Sequence, residues 1–258
     1  MHCFSFDIET VPDVEFGRRL WQLDGLPDDD VARAMGFLRQ QAVGHEFLPL
    51  HLHRVVAISV ALRTGDTFRV WSLGDRDSSE KELVQRFFDG IERYAPDLVS
   101  WNGSGFDLPV LHYRALRHGV QAPRYWETGD GDREFRYNNY LSRFHWRHLD
   151  LMDVLSAFQG RGRASLDQIA LLLGFPGKLG MSGAHVWQAW LDGGIDDIRN
   201  YCETDVLNTW LVYLRFEYMR GKLDATDLER ELELVRTSLA SAGAPHLDAF
   251  LAAWAAGG

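Results

Sequence analysis

The segment that most restricts the fold is residues 55–62, in which Ser59 is the one polar residue. It has the length and apolar content of a buried strand. Gly65 and Asp66 follow as a turn, and residues 67–73 alternate like the second strand of a hairpin. The sequence therefore predicts a sheet that contains at least this pair of strands.

Further strands and helices alternate along the chain. Other short strands are predicted at residues 4–8, 97–101 and, as an edge strand, 149–155. Helices are predicted within 13–42, between Ser79 and Ala95, and over 108–118, 165–173 and 195–220. Strands and helices interleaved in this way indicate the α/β class, with a single mixed sheet flanked by helices.

Composition limits the kind of protein. The 258 residues include 27 Lys and Arg against 37 Asp and Glu, a formal charge of −10, which argues against a broad basic surface that coats nucleic acid. Cys3 and Cys202 are too few for a disulfide framework. The sequence has no signal-like N-terminus and no apolar run of about 18 residues. We therefore expect a cytoplasmic protein that does not cross a membrane.

Asp7 and Glu9 lie two residues apart on the first predicted strand. Side chains at i and i+2 point to the same face, so the two carboxylates project together while Phe6 and Ile8 face the other way. Carboxylates this close repel each other, and divalent cations between them would relieve the repulsion. The alternative is a strand end that frays into solvent.

A second acidic motif follows the predicted strand at 97–101. Residues 101–109 lead through a glycine-containing loop to Asp107, at the start of a predicted helix. Asp107 could cap that helix, but strand ends in α/β sheets are also where ligands bind, so both interpretations stand. Asp150 and Asp153 are predicted as a strand-end and helix-cap pair, or as supporting residues of a site.

Tyr201 and Asp205 have the i, i+4 spacing that places two side chains on one helix face. Taken alone, the pair fits an ordinary surface or core-edge position. The three acidic motifs nevertheless occur together, each where a metal-carboxylate nuclease requires it. Their co-occurrence therefore favours a metal site.

These motifs resemble those of the DEDD superfamily of 3′-to-5′ exonucleases, in its tyrosine subclass. Within that group the chain is most similar to the predicted exonucleases related to the editing domain of family B DNA polymerases. The resemblance covers residues 4–214 and implies a ribonuclease H-like fold. It suggests an exonuclease domain at 1–222 with a helical insertion at about 13–50, and a helical appendage at 223–258.

The resemblance also implies roles for particular residues. Tyr201 would position or help deprotonate the attacking water. The histidine subclass has its base five residues before the last acid, and that position is Asn200, so the resemblance is to the tyrosine subclass. Two divalent cations, Mg²⁺ or Mn²⁺, would be held by the residues that we call the acid cluster: Asp7, Glu9, Asp107 and Asp205. Hard cations of this kind prefer oxygen ligands.

Contacts with nucleic acid are expected at three places. Thr10, Asn102 and Phe106 would approach the terminal nucleotide, with ordinary core packing as the alternative for Phe106. Lys178 would contact the backbone or lie on the surface. Residues 112–148, the Arg-rich segment, contain seven Arg against four acids and several aromatic residues, a combination suited to single strands. Its proposed contacts are Arg133, Arg136 and Arg143, and a solvated insertion is the alternative.

The sequence as a whole predicts a free-standing, metal-dependent 3′-to-5′ exonuclease that acts on single-stranded ends, with DNA favoured over RNA. A polymerase is not expected, because nothing outside the nuclease region is large enough to hold one. The alternatives are an exoribonuclease or oligonucleotide-trimming enzyme of the same superfamily, and a catalytically silent nucleic-acid-binding module. The sequence leaves protein partners open.

Overall fold

A mixed sheet of five strands organises the protein in a computed structural model that describes residues 2–257. The strands lie in the order β3-β2-β1-β4-β5. Their bounds are β1 His2–Pro12, β2 His53–Thr64, β3 Thr67–Ser72, β4 Asp97–Ser100 and β5 His148–Asp150. β1 pairs antiparallel with β2 and parallel with β4, and β5 extends the parallel part. This topology confirms the predicted α/β class and is that of a ribonuclease H-like fold.

Helices cover both faces of the sheet. They are α1 Val14–Trp21, α2 Asp28–Val43, α3 Glu80–Tyr94, α4 Asp107–His118, α5 Leu151–Leu155, α6 Leu166–Leu172, α7 Val186–Leu191, α8 Ile195–Met219, α9 Ala225–Ala242 and α10 Pro245–Gly257. α3 begins where predicted, because the Ser79 hydroxyl accepts a hydrogen bond from the Glu82 amide. Within residues 2–257, no helix is both long and apolar enough to span a bilayer.

Strand β1 separates the two main parts of the core. Phe4, Phe6 and Ile8 pack with α3 and α4, and the Phe6 ring centroid lies 5.0 Å from that of Phe87. The residues between them face α8, whose Val206 and Trp210 are fully or almost fully buried. Because side chains alternate along a strand, Asp7 and Glu9 must project toward α8.

The predicted edge strand at 149–155 is wrong beyond its first residues. β5 ends at Asp150, whose carboxylate accepts a hydrogen bond from the Asp153 amide and so begins α5. Burial of Leu149 and Leu151 gave the segment a strand-like pattern, whereas the capping bond turns the chain into a helix.

The helical segments outside the sheet pack in two ways. α1 and α2, in the predicted insertion, bury Val31 and Met35 against Leu48 and Leu52 in a small separate cluster. α9 and α10 belong to the same apolar cluster as Trp210 of α8. The C-terminal helices therefore share the core on the α8 face of the sheet.

Candidate active site

Strand β1 carries two of the predicted acids toward α8. Glu9 is buried and Asp7 half-buried, and β1 continues past both to Pro12, so the fraying alternative is wrong. The register with β2 shifts between Glu9 and Thr10. The unpaired residue is Val56, so the irregularity lies in β2, opposite the end of the acidic motif.

Asp107 is linked to β1 by a backbone contact. Its Oδ1 accepts a hydrogen bond from the Ile8 amide at 3.1 Å, across 99 residues of sequence. Asp107 does not cap α4, because Phe106 occupies the N-cap position and Asp107 is the first helical residue. The bond to Ile8 brings the Asp107 carboxylate to the two acids of β1.

Tyr201 and Asp205 complete the site from α8, and both are buried. Lys178, in the loop before α7, donates to the Tyr201 hydroxyl at 2.6 Å and lies 3.8 Å from Asp205 Oδ2. Asp205 Oδ1 is buried and has no hydrogen-bond partner within residues 2–257. An unpaired carboxylate oxygen in this position is available to a ligand.

The acid cluster is under electrostatic stress. Burial raises the pKa of Asp7, and the charges of Asp107 and Glu9 raise it further. Burial likewise raises the pKa of Glu9 and brings that of Asp107 to about 7. The Lys178 ammonium opposes this effect at Glu9 and Asp205. The cluster therefore lacks the positive charge that full ionisation would require.

Cys202 belongs to the same site and was missed in the sequence. Its sulfur lies 3.4 Å from the Asp7 carbonyl oxygen and 3.6 Å from Asp7 Oδ2. Ligand atoms of Asp7, Glu9 and Cys202 all lie within 4.8 Å of one another. Its position directly after Tyr201 was the available signal, but a lone cysteine on an apolar helix resembles any core residue.

A cleft of about 610 Å³ opens beside Glu9. Thr10, Asn102 and Phe106, the residues predicted to meet the terminal nucleotide, all line it. So do side chains that were not predicted, which are Phe47, His53, Arg163 and Trp187. Phe106 is half-buried, and its ring stands perpendicular to that of His53 at 5.1 Å between centroids. The cleft thus combines ring faces with polar groups next to the acid cluster.

Asp150 holds one wall of this cleft. Its two carboxylate oxygens accept hydrogen bonds from the amides of Asn102 and Ser104, at 3.0 and 2.9 Å. Asn102 has a left-handed backbone with φ of 65°, which the two bonds stabilise. Asp150 therefore caps α5 and also shapes the loop that leads to Asp107.

Three aromatic residues of the Arg-rich segment are not placed as the prediction of base stacking requires. Tyr125, Phe135 and Tyr140 are buried in the core and cannot stack on bases. They stayed hidden in the sequence because an aromatic-rich loop can also pack inward. Within the described chain, the cleft lining includes neither Arg133 nor Arg136, both of which are exposed.

Residues 45–254 match the family described as predicted 3′-5′ exonucleases related to the exonuclease domain of PolB. The chain belongs to this family. The matched range contains Asp107, Tyr201 and Asp205, whereas Asp7 and Glu9 lie before its first residue. The expected resemblance to the predicted exonucleases of this group is confirmed.

Curated relatives of this exonuclease family member are named DNA polymerases. A DNA polymerase of Archaeoglobus fulgidus is 23% identical over 158 residues, which are 60% of this chain and 19% of the polymerase. DNA polymerase 1 of Pyrococcus abyssi is 23% identical over 221 residues, 82% of this chain and 29% of the polymerase. DNA polymerase 1 of Sulfurisphaera ohwakuensis is 51% identical over 39 residues, 15% of this chain and 4% of the polymerase. The chain thus spans less than a third of each.

The donor set of the acid cluster fits divalent cations. Exonuclease domains of this kind use such ions, and the chain supplies clustered carboxylates with one unpaired oxygen on Asp205. Hard divalent cations take carboxylate oxygens and would neutralise the repulsion within the cluster. The negative charge and the oxygen ligands of the acid cluster therefore both favour divalent cations.

Proposed function

We propose that the protein is a metal-dependent 3′-to-5′ exonuclease that releases nucleotides from single-stranded ends, with DNA as the favoured substrate. The observation that supports this proposal most strongly is the convergence of four carboxylates from three separate elements. Asp7 and Glu9 come from β1, Asp107 from α4 and Asp205 from α8. A binding module would have no use for clustered carboxylates that repel phosphate.

The acid cluster would hold two divalent cations, Mg²⁺ or Mn²⁺. When bound, such ions lower the pKa of a water nucleophile and stabilise the charge on the phosphate and on the leaving 3′-oxygen. The raised pKa values of Asp7, Glu9 and Asp107 return toward normal once positive charge is present. The carboxylates would then remain ionised at neutral pH.

Tyr201 acts in this proposal as a neutral hydroxyl. Burial and the charges of Asp205 and Glu9 raise its pKa in the metal-free protein, so the phenol keeps its proton there. Lys178 donates to the phenolic oxygen and the phenol donates to the Asp205 carboxylate, so the two contacts hold the hydroxyl beside the acid cluster. Tyr201 thus orients the reacting groups.

Lys178 is a positioning residue here, although the sequence predicted a contact with the nucleic-acid backbone. Its side chain is 34% exposed, and a hydrogen bond and an ion pair hold its ammonium to Tyr201 and Asp205. It fixes the ring orientation and supplies one positive charge to the acid cluster. The remaining exposure leaves room for a phosphate oxygen beside it.

The terminal nucleotide would occupy the cleft. Phe106 offers a ring edge or face to the base, while Thr10 and Asn102 border the position of the sugar. Arg133, Arg136 and Arg143 would attract the rest of the strand electrostatically. No side chain in this arrangement reads sequence, so we expect activity on any base.

Digestion of 5′-labelled single-stranded DNA and RNA tests the proposal. With Mg²⁺ or Mn²⁺ the oligonucleotides should shorten stepwise from the 3′ end, and EDTA should stop the reaction. Asp7→Ala should abolish it and Tyr201→Phe should reduce it by on the order of 100-fold. Asp130→Asn removes an exposed acid outside the site and is the matched control.

The same digestion decides between substrates and can overturn the proposal. Faster shortening of DNA than of RNA supports the favoured substrate, and the reverse order makes the protein an exoribonuclease. Absence of metal-dependent products on both, or products that persist in Asp7→Ala, would contradict the exonuclease assignment.

A further inference from the structure

A pair of arginines shares one buried carboxylate at the mouth of the cleft. Asp153 of α5 accepts from Arg143 at 2.9 Å through Oδ2 and from Arg163 at 2.7 Å through Oδ1. The Asp153 side chain is 6% exposed, whereas those of Arg143 and Arg163 are 47% and 40% exposed. One negative charge therefore holds two guanidinium groups, and a net positive charge remains at the surface.

Each arginine retains capacity for another partner. A guanidinium has five N–H donors, and the bond to Asp153 uses one amino group of each residue. Because Asp153 fixes the side chains, little further conformational entropy is lost when an anion binds. A rigid, cationic pair of this kind suits phosphate oxygens.

Exposed aromatic rings adjoin the arginine pair. The Arg143 guanidinium carbon lies 4.8 Å from the centroid of Phe158, and the Phe144 ring packs edge-on against Phe158 at 5.2 Å. Phe144 is 72% exposed. Cations beside accessible rings form the combination that binds a flexible single strand without reading its sequence.

The backbone before Phe158 is strained. Ala157 and Phe158 have φ of 51° and 60°, a conformation that costs free energy in residues other than glycine. The Phe158 amide donates to the Asp153 carbonyl oxygen at 2.7 Å, so the strained turn is tied to the residue that holds both arginines. One short segment thus fixes the ring and the charges together.

The arginine pair is continuous with the cleft. Arg163 lines the cleft with Asn102 and Phe106, and within residues 2–257 it is the one arginine or lysine that does so. Its bond to Asp153 leads outward to Arg143 and Phe158. A strand whose 3′ end lies beside Glu9 would therefore pass this group as it leaves the cleft.

The geometry points to a second binding subsite, formed by Arg143, Arg163 and Phe158, for the nucleotides that precede the 3′-terminal one. Its ligand is single-stranded nucleic acid, with the arginines on phosphates and the ring on a base. The inference rests on the proposed exonuclease function for the strand direction, but binding at the subsite needs no hydrolysis. The subsite would set affinity for oligonucleotides and leave chemistry at the terminal phosphate unchanged.

The test compares substrates with and without preceding nucleotides. In the double variant Arg143→Gln/Arg163→Gln we expect the KM of a single-stranded DNA 10-mer to rise at least about 10-fold. The slope of log KM against log salt concentration should become shallower by about 1.4, which corresponds to two lost phosphate contacts on a single strand. Hydrolysis of the p-nitrophenyl ester of thymidine 5′-monophosphate has no preceding nucleotide and should lose much less than hydrolysis of the 10-mer; because Arg163 also lines the cleft, the comparison is the ratio of the two losses. Phe158→Leu should raise the 10-mer KM by about 10-fold through lost stacking.

A matched variant separates the subsite from general charge. Arg230→Gln/Arg236→Gln removes the same charge from ion pairs on the exposed face of α9, and should leave the 10-mer KM unchanged. Circular dichroism melting of each variant establishes that the fold is kept. Equal losses on both substrates, or an equal effect of the α9 variant, would overturn the subsite.

An equilibrium binding measurement tests the subsite independently of hydrolysis. The Kd of a fluorescent 10-mer, measured by anisotropy with Ca²⁺ in place of Mg²⁺, should rise at least about 10-fold in the arginine double variant. An unchanged Kd refutes the subsite whether or not the protein is a nuclease. If the wild type binds through the arginines but hydrolyses neither substrate, the subsite stands and the exonuclease proposal fails.

Discussion

Asp107→Asn measures how strongly the acid cluster destabilises the metal-free protein. Asp107 is 4% exposed, and burial raises its pKa from 3.8 to about 7. Asparagine retains an oxygen that can accept the Ile8 amide, so the substitution removes the charge and keeps the contact. The expected effect is therefore electrostatic.

The direction in which stability changes with pH follows from proton binding. A carboxyl whose pKa is higher in the folded protein holds its proton more tightly there, so its contribution to stability is present below pH 4 and is lost as the pH rises through 7. With pKa values of 3.8 unfolded and about 7 folded, the free energy of unfolding falls by about 3 kcal/mol between pH 5 and pH 8. The variant Asp107→Asn has no carboxyl at this position and should not show this fall in the free energy of unfolding.

Urea unfolding of EDTA-treated protein at pH 5 and pH 8 measures the difference. Ionisation of Asp7 and Glu9 also lowers the free energy of unfolding as the pH rises, because their pKa values are raised too. The measured quantity is therefore the difference in unfolding free energy between wild type and variant at each pH. The variant should gain about 3 kcal/mol relative to the wild type over this interval. Asp130→Asn, which removes an exposed charge, should show no such gain.

Two results would contradict an electrostatic origin of the pH dependence. One is a difference between wild type and Asp107→Asn that does not change with pH. The other is an equal gain in Asp130→Asn, which would assign the effect to net charge. Saturating Mg²⁺ at pH 8 should remove most of the variant's advantage, because bound cations neutralise the same repulsion in the wild type.

Three further predictions concern other contacts. Lys178→Met should lower kcat by on the order of 100-fold with little change in KM, since the hydroxyl of Tyr201 loses its 2.6 Å partner; additive losses with Tyr201→Phe would contradict this coupling. Arg114→Met removes the guanidinium that pairs with the buried carboxylates of Asp13 and Glu80. It should cost about 3–5 kcal/mol in urea unfolding even though Arg117 and His118 still contact these acids, and a loss below about 1 kcal/mol would count against it. Mg²⁺ at about 100 times its Kd should raise Tm by about 5–10 °C, and a similar rise in Asp205→Ala would place the metal elsewhere.

Local pattern predicted the elements that carry the acids. The alternation around Phe6 placed Asp7 and Glu9 on one face of a strand, and the structure has them so. The four-residue spacing of Tyr201 and Asp205 placed both on one side of α8. Period and capping act over a few residues, so a single sequence contains them in full.

Other features depend on contacts between distant residues. The hydrogen bond from Ile8 to Asp107 joins β1 to α4, and nothing near either residue announces it. Phe47 and Arg163 reach the cleft from irregular segments without periodicity. The strand predicted at 149–155 was wrong because capping by Asp150 outweighed the apolar pattern.

Local periodicity and side-chain chemistry were enough to predict the α/β class, the main strands and helices, and the residue types of the acid cluster. Only the packed fold shows which of the 37 acidic residues share one buried site. It also shows that Lys178 contacts Tyr201 and that Arg143 and Arg163 share Asp153. The physical reason is that burial and charge coupling depend on distances through space, which are set only when the sheet and its helices pack together.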